Sequence, residues 1–501
     1  NSEIFDKEKK IMKKLFRYAA LAAASVLVFT GCAGKGGNYY PDIGEDYGHD
    51  YRYDSVYEQP FKNVADNPSS YFTLDRNTAN YTLMRRTINN GYPVNADSVR
   101  AEEYINYFDY DFAAPAAGDD IAVYTYLSDC PWNEDHKLIT VGVKTEEVSV
   151  DAAASNYVFL IDVSGSMDGY DRLGLVKTTL KTLVNNLGEK DRVSIVTYAS
   201  GTEVVLDSTP ASEKNKKKII SKINKLTARG STNGSGGLEL AYAQAADHFI
   251  AGGNNRVIMM SDGDFNVGIS DGTPLKEFIQ DKAQRGVYLT VLGYGMGNMR
   301  DDNLESLARN GNGNYAYIDS AEEAEKLFDK DIAGMLVAVA KDAKAGVTFT
   351  ENVEKYRLIG YDTKLISEDD FNNPEKDAGE IGSNLTVTIV YEIQLSENAQ
   401  HNARLADLEI RYKDVSDGEK DRSVKNFVNN DPNPDAQTTF ISCVAEYALL
   451  LRNSDYKGAA SFENVLERLE TIGTYVNNDY FKQEFVTLVR KAKTIYESQP
   501  Q

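Results

Sequence analysis

The chain has 501 residues, of which 26% are charged, and its formal net charge is −22 at pH 7. A field of this sign repels nucleic acid and anionic lipid, and no basic patch is expected to offset it, so the composition argues against both as partners. Hydrophobic residues make up 42% of the chain. That content is enough for packed cores, and the length allows more than one domain.

The N-terminal segment has the pattern of a secretory signal. Met12 is followed by a basic stretch at residues 13–17 and by an apolar, alanine-rich stretch at residues 18–29. The apolar stretch is shorter than the roughly 20 residues that a membrane-spanning helix needs. The motif Thr30-Gly31-Cys32 resembles the lipobox of bacterial lipoproteins. The resemblance implies that Cys32 is diacylated and becomes the first residue of the mature protein.

This signal leads to a localisation and to the first boundaries. We predict an over-extended start at residues 1–11, a lipoprotein signal peptide at 12–31 and a flexible tether, rich in Gly, Tyr and Asp, at 32–59. The protein is then expected in a bacterial cell envelope as a lipid-anchored membrane protein. No acidic run directly follows Cys32, which favours the periplasmic face and leaves surface exposure open.

Residues 60–150 are predicted to form a first folded region. Apolar residues at helical spacing predict two helices on either side of the Gly91-Tyr92-Pro93 turn, and residues 120–128 and 137–144 alternate as strands do. Trp132, the only tryptophan in the chain, is expected to be a packing anchor. Cys130 and the distant Cys443 could form a disulfide or remain buried thiols, and the sequence leaves both possibilities open.

Residues 154–336 alternate between strand and helix patterns, which predicts an α/β fold with a doubly wound parallel sheet. Strands are predicted at residues 157–161, 193–198, 203–207, 256–260, 288–294 and 314–317. Helices are predicted at residues 172–187, 213–226, 237–250, 274–285, 303–310 and 321–332. Ligands of such sheets bind outside the carboxyl ends of the strands, so functional side chains are expected there.

Oxygen-bearing side chains occur where this fold predicts a site. Asp162, Ser164 and Ser166 directly follow the strand at residues 157–161. Thr232 lies in a glycine-bearing loop before a predicted helix, and Asp262 follows another apolar strand. Carboxylate and hydroxyl oxygens suit a small, hard cation such as Mg²⁺. The sequence therefore predicts a divalent-cation site at the carboxyl edge of the sheet.

The order of Asp-x-Ser-x-Ser, then Thr, then Asp resembles the metal-ion-dependent adhesion site of von Willebrand factor type A (vWA) domains. The resemblance implies that Mg²⁺, or Mn²⁺ or Ca²⁺ in its place, is held by these five side chains and that a carboxylate of a partner protein completes the coordination shell. Only Asp162 and Asp262 carry charge among the five. An ion held mainly by neutral hydroxyls would keep residual positive charge, which attracts one more anionic oxygen.

Asp264 and Asn266 continue the loop after Asp262 and match the start of a calcium-binding EF-hand loop. The sixth position is Val267 rather than glycine, and the twelfth is Thr273 rather than glutamate, so the EF-hand pattern fails. We interpret Asp264 and Asn266 as residues that shape the loop or contact the ligands from outside.

Residues 340–498 are predicted to form a β part to about residue 426 and a helical part from about residue 438. Val and Ile alternate with Thr and Glu in residues 384–393 and 408–412, which predicts an antiparallel sheet with one solvent-exposed face. Motifs at residues 71–81, 99–108, 130–133 and 444–458 resemble the N- and C-terminal domains of YfbK-like bacterial vWA proteins. The usual Val and Asp after Asp75 are replaced by Arg76 and Asn77, so no chemistry is assigned to that motif.

The chain has no recognisable catalytic constellation. It has neither a His-x-x-x-His pair nor a Gly-x-Ser-x-Gly elbow. Its four histidines are scattered along the chain, at His49, His136, His248 and His401. An enzyme that forms an aspartyl-phosphate would want a second aspartate at position 164, where this chain has serine. The protein is therefore not expected to be an enzyme.

The sequence-based hypothesis is a lipid-anchored envelope protein whose vWA-like domain binds an acidic side chain of a partner protein through the divalent ion. The alternative is a structural or assembly factor in which the metal only stabilises the loop. A magnesium-dependent hydrolase is a third interpretation, because a metal-bound water can act as a nucleophile.

Overall fold

The computed structural model describes residues 57–148, 154–232, 234–263, 274–295, 301–330 and 337–498. The first region contains short strands, two helices and a long antiparallel hairpin. Its elements are β1 (Lys62–Asn63), β2 (Ser69–Thr73), α1 (Ala79–Asn89), α2 (Ala101–Ile105), β3 (Ile121–Asp129) and β4 (His136–Thr145), with a 3₁₀ turn at Ala96–Ser98. The helices lie on either side of residues 91–93, as the sequence predicts.

The central region is the predicted α/β fold. Its strands are β5 (Ser155–Asp162), β6 (Arg192–Tyr198), β7 (Thr202–Pro210), β8 (Asn254–Ser261), β9 (Val287–Gly293) and β10 (Tyr315–Tyr317). Its helices are α3 (Leu175–Asn186), α4 (Glu213–Asn224), α5 (Gly234–Asp247), α6 (Pro274–Gln284), α7 (Asp301–Asn310) and α8 (Ala321–Glu325). The strand order is β10-β9-β8-β5-β6-β7, and the first five of these strands run parallel.

Strand β5 is central, and all its residues are buried. Phe159 packs with Leu180 of α3 in the core on one face of the sheet. Leu160 packs with Leu238 of α5 in the core on the other face. Helices on both faces confirm the doubly wound α/β prediction, and they explain why β5 reads as a continuous apolar run.

The sheet is not parallel throughout, because the edge strand β7 pairs antiparallel with β6. Only residues 199–201 separate the two strands. A parallel crossover needs a dozen or more residues, so a connection of this length allows only a hairpin.

The third region combines strands with a helical end. Its strands are β11 (Ala338–Phe349), β12 (Val353–Ile359), β13 (Gly379–Gly382), β14 (Thr386–Leu395), β15 (Arg404–Asp414) and β16 (Lys420–Asn429). Its helices are α9 (Glu368–Asn372), α10 (Ala436–Arg452), α11 (Phe462–Thr471), α12 (Gly473–Asn477) and α13 (Tyr480–Glu497). The division into a β part and a helical part is as predicted.

The first and third regions share their sheets. One sheet has the order β1-β12-β14-β4-β3, and the other has the order β13-β11-β15-β16 with β2 paired to β11. The central α/β region is therefore inserted between β4 and β11. The sheet of β4 also contains strands of the third region, and the sheet of β11 also contains β2 of the first region.

The prediction of one solvent-exposed face is wrong for β14. Thr388 and Glu392 are buried together with the apolar residues of this strand. Val390 packs in a core with helices α2 and α10, while Ile389 packs with residues of β11 and β15. The helices cover the face that local alternation assigned to solvent. Strand β15 keeps its alternation of buried and less buried residues.

The two cysteines within the described residues, Cys130 and Cys443, are free and buried. Burial raises the pKa of each thiol to about 12, so both are protonated, unreactive core residues. Trp132 is buried in the same core, which confirms its role as a packing anchor. Among the helices that the structure describes, none is both long and apolar enough to traverse a lipid bilayer.

Candidate metal-binding site

The fold brings the ends of β5 and β8 together. Asp162 is the last residue of β5, and Asp262 directly follows β8. The two strands are parallel neighbours, so their carboxyl ends meet at one edge of the sheet. Both carboxyl side chains are buried, at 0% and 5% exposure.

The loop after β5 is folded back on itself by local hydrogen bonds. The amide of Ser164 donates to Asp162 Oδ1 at 2.8 Å, and the hydroxyl oxygens of Ser164 and Ser166 lie 3.0 Å apart. A 3₁₀ turn at Gly165–Met167 follows. The structure therefore gathers the predicted oxygens of this loop at the strand end.

The loop that carries Thr232 lies against the first loop. The amide of Arg229 donates to the carbonyl of Val163 at 2.7 Å, and the amide of Gly165 donates to the carbonyl of Gly230 at 2.9 Å. Gly230 has a φ of +81°, and a Cβ there would lie 2.5 Å from Ser200 Oγ. Glycine is therefore required at the point where the chain turns into the Thr232 segment.

Two neighbours of Asp162 are residues that the sequence did not single out. Ser261, the last residue of β8, approaches Asp162 Oδ2 with its hydroxyl at 3.5 Å. Tyr198, at the end of β6, is buried near both aspartates, and burial together with the charge of Asp162 raises the pKa of its phenol well above the usual value. Each is the last residue of a strand, and this position was the signal available in the sequence. The structure adds that both strands are neighbours of β5.

The site has an excess of negative charge. Burial raises the pKa of Asp162 to about 6, and the charge of Asp262 contributes to the rise, although hydrogen bonds from Ser164 oppose it. Two buried carboxylates beside hydroxyl oxygens are a donor set that a hard divalent cation fits, because the cation offsets their repulsion. No group of three or more His, Cys, Asp or Glu side chains within the described ranges could hold a metal ion. The candidate donors of this site are the two carboxylates and the hydroxyl groups of Ser164 and Ser166.

A side chain further along the chain supports the first loop. Arg172 donates a hydrogen bond from its guanidinium to the carbonyl oxygen of Ser166. It packs closely on Gly295, two residues after β9, where an added Cβ would lie 2.7 Å from Arg172 Nε. The residue before it, Asp171, forms an ion pair with Arg86 of α1, which belongs to the first region.

Arg86 also contacts the end of β10. Its guanidinium donates to the hydroxyl of Tyr317, and the hydroxyl of Tyr317 donates to the carbonyl of Gly295 at 2.7 Å. Arg86, which lies outside the α/β region, is thus connected to the loop of Ser166 in two ways. One runs through Asp171 to the adjacent Arg172, and the other runs through Tyr317 to Gly295, on which Arg172 packs. Sequence reasoning missed this connection, because nothing in the local sequence pairs residue 86 with residue 171.

Three predicted residues are not placed. Asp264, Asn266 and Cys32 lie outside the described residues. Their proposed roles, in loop shape for the first two and lipid attachment for the third, therefore stay predictions.

Family comparisons agree with the architecture. The model of the von Willebrand factor type A domain matches residues 156–330, and domains of this type often mediate protein–protein interactions. The model described as the C-terminal part of the uncharacterized protein YfbK matches residues 334–495. A model described as von Willebrand factor matches residues 48–140.

Individual relatives extend the comparison. The uncharacterized protein YfbK of Escherichia coli K12 is 36% identical over 462 residues, which is 87% of this chain and 80% of that protein. Inter-alpha-trypsin inhibitor heavy chain H3 of Mesocricetus auratus is 24% identical over 48% of this chain and 29% of that protein. The solved structure of a von Willebrand factor type A protein from Catenulispora acidiphila has 15% identity and a TM-score of 0.40, covering 71% of this chain and 87% of that one.

Proposed function

We propose that this chain, which belongs to the YfbK family and contains a von Willebrand factor type A domain, captures a protein partner through a divalent cation. The proposed ligands are Asp162, Ser164, Ser166, Thr232 and Asp262, and a carboxylate of the partner completes the shell. The observation that carries the proposal is the convergence of the Asp162 carboxylate with two hydroxyls 3.0 Å apart, beside the second buried carboxylate.

The chemistry of the donors supports binding rather than turnover. When bound, the cation supplies a positive centre that attracts an anionic oxygen. Three of the five proposed ligands are neutral hydroxyl groups, so the negative charge of the set does not exceed the charge of the ion, and a coordination position is left for one more anionic oxygen. Mg²⁺ or Mn²⁺ suits this mixture of carboxylate, hydroxyl and water oxygens, and Ca²⁺ is the third candidate.

We also propose that the domain is held in the bacterial envelope by a lipid on Cys32. The support is the charged, apolar and Thr-Gly-Cys order of residues 13–32. Mass spectrometry of the membrane fraction tests it, since a diacylated Cys32 gives a lipidated N-terminal peptide that Cys32→Ala lacks.

Removing metal ligands should abolish cation binding. In the double variant Asp162→Ala with Ser164→Ala, we expect the affinity for Mn²⁺, measured by titration calorimetry, to fall about a hundredfold or more, since even the loss of a residue that only supports a metal ligand costs about 10–100-fold. Wild-type capture of the partner from envelope extracts should disappear in EDTA. The fold should survive, because the variant removes a buried carboxylate that is repelled by Asp262.

The matched control is Asp207→Ala with Ser208→Ala, an Asp-Ser pair on the edge strand β7. It should bind Mn²⁺ like the wild type. Partner capture that persists in EDTA would contradict the proposal, and so would unchanged Mn²⁺ binding in the double variant. Metal-dependent thermal stability without capture would favour the structural alternative, and Mg²⁺-dependent turnover lost in Asp262→Ala would favour a hydrolase.

Arg86 is expected to act as a positioning residue for the site. Replacing it with alanine removes the ion pair with Asp171 and the contact with Tyr317, which leaves Arg172 and the carbonyl of Ser166 less constrained. Asp171 is 43% exposed, so the effect is limited by solvent. We expect Mn²⁺ affinity to fall about fivefold, or about 1 kcal/mol.

The control for this variant is Arg285→Ala, which removes an exposed arginine paired with Asp281 on the same domain. Arg86→Lys should recover part of the affinity, and the thermal midpoint without metal should change much less than the affinity does. Equal Mn²⁺ affinity in Arg86→Ala and the wild type would show that the contact has no role at the site.

A further inference from the structure

We infer that a row of cations beside the loop of Asp162, Ser164 and Ser166, here called the metal loop, forms the second half of the partner-binding surface, and that the partner is an acidic protein segment rather than a single exposed carboxylate. The inference deepens the proposed function and rests on it. We call this row the cationic stripe: Lys214, Lys217, Lys218, Lys222, Lys225 and Arg229.

The stripe occupies one side of α4 and its C-terminal continuation. Lys214, Lys218 and Lys222 repeat every four residues, and Lys217 and Lys225 lie three residues after Lys214 and Lys222, so these five lie on one side of the helix and its C-cap. Arg229 follows beyond the end of the helix. Ile219 and Ile223 are buried on the opposite face. Of the stripe residues, Lys222 is partly exposed and the others are exposed. The acidic composition had predicted that no such patch exists.

The stripe is not neutralised by neighbours. Residues 213–229 contain seven cations and one carboxylate, Glu213. Glu213 pairs with Lys216 at 2.9 Å, which is not part of the stripe. Within the described ranges, none of the six stripe residues forms an ion pair. A local excess of positive charge thus stands out on a protein whose net charge is −22.

The arrangement costs helix stability. Lys214 and Lys218, and then Lys218 and Lys222, are like charges four residues apart, which repel each other along the helix. Lys214 also stands in the first turn, where the helix dipole is positive. An anionic occupant would relieve both repulsions. Solubility does not require the stripe, because the chain already carries a large net charge.

The stripe leads directly to the metal loop. After α4 the chain reaches Arg229, whose amide donates to the carbonyl of Val163, one residue after Asp162. Lys177 of α3 adds a further cation there, because its Nζ contacts the carbonyl of Asn224 at the end of α4 at 3.3 Å. The 12 residues of α4 span about 18 Å.

This geometry indicates the size and chemistry of the occupant. An extended segment of about six residues spans the length of α4. With one carboxylate on the cation and further carboxylates along the stripe, such a segment would be recognised at several points and attracted at long range. An anionic membrane is a different occupant. The continuity of the stripe with the carboxylate-binding site favours a protein segment.

The test uses the full chain and a fluorescein-labelled deca-aspartate peptide, with binding measured by fluorescence anisotropy in Mg²⁺ at physiological salt. In the stripe variant, Lys217→Gln, Lys218→Gln and Lys222→Gln are combined. We expect its affinity to fall about tenfold, the sum of three exposed charge contacts. The affinity of the wild type should fall as salt is raised, and the stripe variant should show a weaker dependence.

The control variant combines Lys190→Gln, Lys420→Gln and Lys425→Gln. It removes the same charge from positions outside the stripe. Lys190 precedes β6, Lys420 is the first residue of β16, and Lys425 lies within β16. We expect about the wild-type affinity. Equal weakening of peptide binding in the two triple variants would overturn the inference, because the change in net charge alone would then explain the weaker binding. Far-ultraviolet circular dichroism should show that both variants are folded.

Two further outcomes separate this inference from the proposed function. If the stripe variant binds Mn²⁺ like the wild type and also binds deca-aspartate like the wild type, the stripe inference fails and the metal site stands. If Mg²⁺ does not change wild-type binding but the stripe variant still weakens it, the metal proposal fails and the cationic surface stands. Binding to phosphatidylglycerol vesicles, with none to deca-aspartate, would overturn the inference in favour of a lipid surface.

Discussion

Replacing Arg85 with alanine is expected to lower the free energy of unfolding by about 3–5 kcal/mol, because it leaves buried carboxylates without their cation. The side chain of Arg85 is 2% exposed and donates to Asp319 at 2.5 and 2.8 Å, to Glu323 at 2.7 Å and to Glu484 at 3.0 Å. Tyr107 accepts from Arg85 and donates to Glu323, both at 2.6 Å. All three carboxylates would lose their shared partner.

This cluster connects all three regions of the chain. Arg85 lies on α1, Asp319 and Glu323 follow β10 of the vWA domain, and Glu484 lies on α13. We therefore expect Arg85→Ala to weaken the docking of the vWA domain as well as global stability. Urea unfolding followed by circular dichroism measures the global stability, and limited proteolysis between the regions measures the docking.

The matched control is Arg309→Ala, which removes a largely exposed arginine that pairs with Glu305 one helical turn away. Such a pair contributes about 0.3–0.5 kcal/mol. If Arg85→Ala is no more destabilising than Arg309→Ala, the buried cluster does not hold the regions together.

The second large effect is expected at Glu392, where Glu392→Gln should cost about 3–5 kcal/mol at neutral pH. Glu392 Oε1 lies 2.6 Å from His136 Nδ1, and Glu392 Oε2 accepts from Arg357 at 2.7 Å. The Arg357 side chain is fully buried, and its other carboxylate partner is Glu58, at 2.8 Å. The glutamine variant leaves the buried guanidinium with that one carboxylate. Glu354→Gln, on the exposed side of β12, is the control.

The loss of stability in Glu392→Gln should depend on pH. Burial by itself would raise the pKa of Glu392, but the hydrogen bond with His136 and the charge of Arg357 lower it below the usual value. A carboxyl group with a lowered pKa stabilises the fold fully above its unfolded pKa, about 4.3, and the stabilisation is lost as pH falls through the folded value. The difference between wild type and Glu392→Gln should therefore shrink in acid. A difference that stays constant with pH would contradict this assignment.

The loop of Asp162, Ser164 and Ser166 could be predicted from sequence because its features are local. An apolar run followed by Asp162, Ser164 and Ser166 is a strand followed by a polar loop, whatever the rest of the chain does. The position of Asp262 was also predictable, since carboxyl ends of parallel strands share an edge. The face of β14 could not be predicted, because alternation alone does not say that α2 and α10 cover the side that carries Thr388 and Glu392.

The sequence by itself determined the class of the vWA region and the approximate positions of its helices and strands, and it led to the predictions of oxygen ligands for a cation and of a secretory signal before Cys32. Each of these follows from residues close together in the chain, where periodicity and side-chain chemistry act directly. Only the tertiary structure decided that the flanking regions share two sheets, that Arg85 gathers three distant carboxylates, and that Arg86 contacts Asp171 and Tyr317 beside the loop of Ser166. These contacts join residues up to 399 positions apart. They depend on how the elements pack, and no local pattern encodes that packing.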